Sequence, residues 1–471
     1  MSEATTPLTR APSGAAPNTA NTMTKQSSSA TSPSATPIEC DVLIIGGGPA
    51  GSTAGALLAQ KGHRVVVLEK NHHPRFHIGE SLLPANLPLL EKLGVAEAVK
   101  AIGMEKWGAE FVSPWHASKS QTFKFGDAWD KSMPFSYQVR RSEFDEILIR
   151  NAARLGAEVI EGCRVKNVVF APDRSDATVQ AQHDDGREGH WRARFVVDAS
   201  GRDTLLGKQF GVKRRNPKHN SSALYAHFTG AKRHSGQDAG NITIFWFDHG
   251  WFWLIPLADG ATSIGAVVWP YYLKSRAKPV KDFFFDSIAL CPALAQRLAD
   301  ATLSSEVEAT ANFAYACDHT HGPNHLLIGD AFGFIDPVFS SGVMLAMQGG
   351  FVAADTVATC LREPAKAAAA LAHFDQQVRL GPKEFSWFIY RVTNPAMRDM
   401  FMGPSNVLRV KEALLSMLAG DIYGKTPIWR SIAVLKGIFY LASAWSFKRS
   451  WKAMRRRKSN IRLVDGAEAA L

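Results

Sequence analysis

Residues 46–51 read Gly46-Gly47-Gly48-Pro49-Ala50-Gly51, directly after the apolar run 41–45 and before an alanine-rich stretch with helical spacing. The chemistry such a turn supports is phosphate binding. Gly46 and Gly48 permit a tight turn and close backbone approach to a pyrophosphate, Gly51 lets the helix close on the strand, and the first helical amides add a favourable dipole. A second apolar run, 64–68, ends at Glu69, eighteen residues beyond Gly51 and placed to accept from a ribose hydroxyl. Strand, turn, helix, strand and acid together predict a dinucleotide site. A second candidate is Phe334-Ile335-Asp336-Pro337-Val338-Phe339-Ser340-Ser341-Gly342. Small residues after Pro337 can turn successive N–H groups inward, making an anion-binding concavity beside a helix that begins near Gly342; a plain helix start is the alternative. A third, Gly250-Trp251-Phe252-Trp253-Leu254-Ile255-Pro256, sets out two indoles and a proline and by itself reads as a buried aromatic strand ending at a turn. His72, His73 and His77 invite a metal reading, but no Cys or acid stands at ligand spacing, so no metal site is assigned.

Three further segments narrow the dinucleotide to FAD by resemblance. Residues 197–202 (Val-Asp-Ala-Ser-Gly-Arg) and 327–331 (Leu-Ile-Gly-Asp-Ala) resemble segments of the aromatic-hydroxylase flavin fold, in which the Asp, here Asp330, contacts the ribityl chain. Residues 137–145 are similar to the segment in which an Arg approaches the cofactor, and Arg141 is the match. Within that fold the 250–256 segment, the 334–342 segment, the Gly79-Glu80-Ser81 segment and Lys106 in Gly103-Met104-Glu105-Lys106-Trp107 resemble the flavin-dependent halogenases, over roughly residues 39–375. The resemblance implies FADH2, O2 and chloride or bromide as reactants. Halide would be held at Ser341 and Gly342, with Ser340 shaping the loop, and Lys106 would bind or carry the hypohalous species. Trp251, Trp253, Ile255 and Pro256 would keep the aromatic substrate away from the flavin.

One departure bears on the substrate. Tryptophan halogenases carry a Glu immediately before the Ser-Ser/Thr-Gly run, and this chain has Phe339 there. The resemblance is therefore to the phenol and pyrrole branch, whose members act on electron-rich rings, free or carrier-bound, in pigment or secondary-metabolite biosynthesis. A separate NAD(P)H flavin reductase is expected, because no second dinucleotide motif is visible. An aromatic monooxygenase or a prenyl reductase of the same fold is the alternative, and Trp251 and Ile255 are what argue against it.

The bulk properties fit a soluble cytoplasmic enzyme. The chain has 471 residues with 46% hydrophobic content, and its five cysteines form no C-x-x-C pair. Residues 1–38 are Ser-, Thr-, Ala- and Pro-rich, a disordered leader by composition and without a secretory pattern. The formal charge of +11 suggests no nucleic-acid partner, because eight basic and no acidic residues are concentrated between Lys448 and Arg462. The preceding stretch, 431–447, is apolar but short of the roughly 20 residues a spanning helix needs. Either an interfacial helix with a polybasic end, peripheral at the inner membrane face, or a packed helix with a solvated end satisfies this pattern.

The elements that must position these motifs follow from periodicity. Helical spacing runs over 87–102 and 142–155, strands are expected at 223–228, 241–247, 251–255 and 262–268, and short apolar runs at 195–197 and 326–328 each lead into a glycine motif. The expected fold is α/β: an FAD-binding Rossmann-like lobe (39–115, 135–215, 311–375) interleaved with a β-sheet substrate lobe (116–134, 216–310), then a helical C-terminal region (376–471).

Overall fold

The computed structural model describes residues 37–468. The leader therefore lies outside the described residues except at its end, where Ile38 already opens the first strand, Ile38–Ile45. That strand is flanked by Val65–Leu68 and by Glu188–Asp198, both parallel to it. Glu158–Ile160 and His325–Leu327 extend the sheet in parallel on either side. Val65-Val66-Val67-Leu68 is buried at every position, as a parallel strand covered on both faces must be. Val42, Ile44, Val65 and Val67 face the helices Pro49–Gln60, Arg141–Arg154 and Gly342–Arg362. Leu43, Ile45, Val66 and Leu68 face the hairpin of Cys163–Phe170 and Ala177–His183.

The glycine turn is tight for steric reasons. Gly46 sits at φ +103°, and a Cβ there would lie 2.4 Å from the Ala199 carbonyl oxygen. A Cβ on Gly51 would lie 1.9 Å from the carbonyl oxygen of Gly46 itself. Strand, turn and helix can close on one another only with glycine at both positions.

A second sheet runs in the order Thr302–Leu303, Ser221–Thr229, Thr262–Val268, Gly250–Pro256, Ile242–Phe247, Gly108–Ser113, Lys119–Lys124. Alternation divides its residues between two cores. Phe245, Phe252, Leu254 and Ile264 pack on the helices Val280–Ala289 and Pro292–Arg297. Ile244, Trp246, Trp251 and Trp253 belong to the opposite cluster, which also holds Phe385, Phe401, Leu414 and Phe439 of the C-terminal helices. Those helices are Ala367–Ile389, Pro395–Met402, Val410–Ala419, Trp429–Trp445 and Phe447–Glu468.

Several expectations are corrected here. Gly108–Ser113 belongs to the second sheet, so the division at residue 115 falls on the wrong side of it; its parallel partner Ile242–Phe247 is too distant in sequence to be foreseen. Glu308–Phe313, paired with Ser221–Thr229, likewise crosses the division at 310. The helical run 87–102 is two helices, Leu87–Leu93 and Ala96–Ile102, separated where Gly94 caps the first in the left-handed region. Among the described residues, the one helix long and apolar enough to cross a bilayer is Gly342–Arg362, and it is mostly buried in the protein core.

The turn makes a direct test possible. Gly51→Ala forces a methyl group onto backbone that cannot yield, a kind of overpacking that costs about 1–3 kcal/mol or more. We expect a lower melting temperature and loss of flavin absorbance from the purified protein. A variant that melts with the wild type and retains flavin would show that the turn tolerates a side chain.

Candidate functional site

A cavity of about 480 Å³ opens where the two sheets meet. Nine of the twelve residues singled out from the sequence line it: Gly46, Gly48, Glu69, Arg141, Trp251, Trp253, Asp330, Ser340 and Gly342. The other three, Gly51, Lys106 and Ser341, stand behind the wall.

At one end the cavity is built for phosphates. Gly48, Pro49 and Ala50 line it, so the first turn of Pro49–Gln60 presents its orphan amides there. The Glu69 carboxylate accepts from Gly47 N at 2.7 Å and Asn71 N at 2.9 Å, which locks the turn, and it still faces the cavity. Arg75, which the sequence reading passed over, lies closest to the open side of Gly48 and also lines the cavity. It comes from the His72–His77 segment weighed for metal. The histidines themselves take separate partners: His72 pairs with Asp184, His73 with Glu161, and His77 with the Ile78 carbonyl. Two of these partners are acids, which sequence spacing had not indicated.

Arg141 is committed inward. Its Nε and Nη2 reach the buried Asp145 carboxylate at 2.8 and 3.0 Å, and its Nη1 donates to the Ile78 carbonyl at 3.1 Å. Burial acts to raise the Asp145 carboxyl, but the Arg141 guanidinium, backed by Arg75, holds it below the usual carboxylate range. Asp330 is the reverse case. Burial pushes its carboxyl up to about 6 despite Arg141 and Arg202, and among the described residues no donor meets its side chain.

The far wall is the strand Gly250–Pro256. Trp251, Trp253 and Ile255 fall on its cavity face by alternation. Trp253 lies against Gly265, where a Cβ would come within 2.1 Å of the ring, and its Nε1 donates to Ser263 Oγ at 3.1 Å. The indole is therefore fixed in orientation by a neighbour with no side chain and by a hydrogen bond.

Opposite lies the loop 337–342. Ser340 is left-handed at φ 55°, and Gly342 opens the helix Gly342–Arg362 with no atom near its missing Cβ. Ser341 is buried with its Oγ unpartnered among the described residues. Phe339, just before them, packs on Phe385, Phe388 and Phe401.

Lys106 is 1% exposed. Its Nζ donates to Ser81 Oγ and to the Leu82 carbonyl, both at 2.9 Å, and faces the Phe125 ring at 5.2 Å. Burial brings its ammonium down from 10.5 to about 7. Ser81 lines the cavity, so Lys106 lies one side chain behind the wall.

Two polar nodes pair acids of the 79–81 and 334–342 segments with histidines that the sequence does not place beside them. Glu80 lines the cavity; one carboxylate oxygen meets His227 Nε2 at 2.8 Å and the other has no partner among the described residues. Asp336 caps the loop 337–342 through Val338 N at 3.2 Å, and its other oxygen accepts from Ser221 Oγ at 3.0 Å and His219 Nε2 at 2.8 Å. On the far side of His219 stands Arg457, 3.4 Å from Nδ1 and 2.8 Å from the Lys218 carbonyl. Burial draws the Arg457 guanidinium down to about 10. The basic tail is thus partly a structural strut.

The residues fit FAD: a helix N-terminus with Arg75 for the pyrophosphate, Glu69 for the ribose, and Asp330 with an unpartnered carboxylate for a polyol chain. A family model described as FAD binding domain matches residues 39–379. A flavin-dependent halogenase of Armillaria mellea is 35% identical over 350 residues, covering 69% of this chain and 68% of that protein. A 1H-pyrrole-2-carbonyl peptidyl-carrier-protein chlorinase of Pseudomonas fluorescens is 30% identical over 409 residues, 81% of this chain and 89% of its own length. The solved structure of the myxobacterial chondrochloren halogenase, an FAD-dependent enzyme, matches with a TM-score of 0.72 at 32% identity, covering 86% of this chain and 97% of that one. Cavity, cofactor fit and relatives agree, and the chain belongs to the flavin-dependent halogenase family, oxidoreductases that work with FAD.

Proposed function

We propose that the enzyme halogenates an electron-rich aromatic ring, a phenol or pyrrole, either free or tethered to an acyl carrier protein. The observation that carries this is Phe339. Where a carboxylate would assist a weakly activated ring, this chain packs a phenyl group against Phe385, Phe388 and Phe401, so the ring must supply its own activation. The relative named as a carrier-bound pyrrole chlorinase supports the same substrate class.

Bound FADH2 supplies, with O2, the oxidising power that turns chloride or bromide into a hypohalous species. The protein's part is orientation, charge and exclusion of water. Gly46, Gly48, Glu69, Arg141 and Asp330 hold the cofactor, and Gly51 lets its cradle close. Gly342 and Ser341 hold halide at the amides of the helix start, with Ser340 in the left-handed turn that aims them. Trp251 and Trp253 wall off the ring to be modified. Lys106 receives the hypohalous species; with its ammonium lowered to about 7, both its forms are populated near neutrality. FADH2 comes from a separate NAD(P)H flavin reductase in the cytoplasm.

The substrate assignment is tested by mass spectrometry of a phenol and carrier-pyrrole panel incubated with a reductase, NADH, O2 and either halide. Halogenation of phenols or pyrroles, with free tryptophan left unmodified, is expected; efficient turnover of tryptophan would overturn it.

Lys106→Ala should abolish product while the protein still loads FAD, and full yield would remove Lys106 from the reaction. Stability should move the other way for Lys106→Met. An unfolded Lys keeps its proton to 10.5 and the folded one only to about 7. The unfolded state therefore binds the extra proton between those values, and the wild type gains stability as pH rises through that window. At about 1.4 kcal/mol per unit the charged amine costs on the order of 4 kcal/mol near pH 7. Leaving Ser81 Oγ and Leu82 O unpaired takes back about 1–3 kcal/mol. We expect Lys106→Met to be the more stable protein near pH 7 and to lose that advantage toward pH 10. Chemical denaturation across this range would expose a wrong sign.

Replacing Trp251 and Trp253 together by Leu should uncouple consumption of reduced flavin from halogenation by roughly tenfold or more, about 1.4 kcal/mol in partition. Unchanged coupling in an FAD-loaded variant would exclude a shielding role.

A further inference from the structure

The last two helices leave a run of large apolar side chains in solvent, which is unusual for a surface helix of a globular protein. Phe447–Glu468 turns Ser450, Asn460 and the half-buried Arg457 toward the protein. Three of its large apolar residues point outward: Phe447 is 63% exposed, Trp451 42% and Met454 47%, spaced at i, i+4 and i+7. The preceding helix, Trp429–Trp445, buries Ile432, Leu435 and Phe439, yet it too exposes an apolar stripe at i, i+3 and i+7: Ile438, Leu441 at 74% and Trp445 at 96%. An indole left almost wholly in water, continuous with other apolar side chains, marks an interaction surface. A groove of about 470 Å³ opens beside this stripe, with Ile438 and Trp445 among its lining and Met397, Met400 and Leu414 behind them.

The charge around the stripe selects the occupant. Lys448, Lys452, Arg455 and Lys458 are exposed and meet no acidic partner among the described residues, whereas Arg449 and Arg456 are already paired with Asp399 and Asp248. Arg455 lies over the Trp451 ring at 4.1 Å, which places a cation at the edge of the apolar stripe. Aromatic and aliphatic side chains facing outward, rimmed by unneutralised cations, are the pattern of a helix that lies in a lipid headgroup layer. The orientation is fixed from within, because Arg457 is tied to the Lys218 carbonyl and Arg456 to the Asp248 carbonyl.

We propose that the helices Trp429–Trp445 and Phe447–Glu468 form a docking face for an anionic phospholipid surface, with Leu441, Trp445 and Phe447 entering the headgroup layer and Lys448, Lys452 and Arg455 meeting the lipid phosphates. The enzyme then works at a membrane face without spanning it. This holds whichever ring is halogenated.

The test is flotation of the full-length, FAD-loaded protein with phosphatidylcholine vesicles, with and without phosphatidylglycerol. Binding is expected only with phosphatidylglycerol, and it should be lost at about 0.5 M salt, where screening confines each charge to a few ångströms. Lys448→Glu/Lys452→Glu/Arg455→Glu should weaken binding by at least about a hundredfold, at about 1 kcal/mol per basic residue and 1.4 kcal/mol per decade. Leu441→Ser/Trp445→Ser/Phe447→Ser should weaken it comparably while flavin absorbance, and thus folding, is retained. Single Trp445→Phe should retain binding and lose the part of the tryptophan emission that brominated lipid quenches. No flotation at low salt overturns the proposal, as does flotation that neither triple variant reduces. An acidic carrier protein that binds this face while vesicles do not makes it a carrier site. A dimer dispersed by the serine variant, with no vesicle binding by the wild type, makes it a contact between copies.

Discussion

The Asp336 carboxylate is the point on which the candidate halide loop depends. One of its oxygens caps the turn through Val338 N, and the other is shared by Ser221 of the second sheet and His219 beside it. The segment 219–221 is thereby fixed to the loop by one buried group. A buried carboxylate is costly unless its lone pairs are met, so each partner removed weakens the hold on the loop. The arrangement also sets the tautomer of His219: with Nε2–H donated to Asp336, Nδ1 is left as an acceptor facing Arg457. The C-terminal helix is therefore part of the framework that holds the loop, in addition to whatever its outer face meets.

Lys106 illustrates the cost of such a site, and the indole strand shows how a cost is avoided. A fully buried amine with two acceptors and a phenyl ring around it is held near neutrality by desolvation alone, at the expense of stability that an apolar residue would return. The strand Gly250–Pro256 meets its two demands without penalty, because alternation sends Phe252 and Leu254 into one core while Trp251, Trp253 and Ile255 face the cavity. Glu80 ties its loop to His227 of the second sheet across the cavity edge, as Asp336 ties its own loop to Ser221 of that sheet.

Much of this was legible in the chain. The glycine turn could be read because it is a local steric requirement: Gly46 and Gly51 are needed by atoms within a few residues or on an adjacent parallel strand. The strands 262–268 and 251–255 could be read because β-branched and aromatic runs have few other uses, and the first was found with its observed ends. The periodicity over 87–102 does not reveal the break at Gly94, where a left-handed cap interrupts a pattern that otherwise continues. The membership of Gly108–Ser113 in the second sheet is not legible, because a six-residue strand carries no mark of which sheet it will join.

What the sequence by itself determined is the set of local geometries: a phosphate-binding turn, an indole strand, a proline-to-serine loop ahead of a helix, and a basic C-terminal stretch. Each follows from sterics or periodicity over a few residues. Only the tertiary structure decided the electrical state and company of the groups at the candidate site. Glu80 lies 147 positions from His227, and Asp336 lies 117 from His219. The Lys106 ammonium is shifted by burial, a property of everything packed around it. Which side of the C-terminal helices faces water was likewise settled by the fold, since Arg457 turns inward and carries Trp451 outward with it. Burial and through-space charge are sums over neighbours brought together by folding, and spacing along the chain does not contain them.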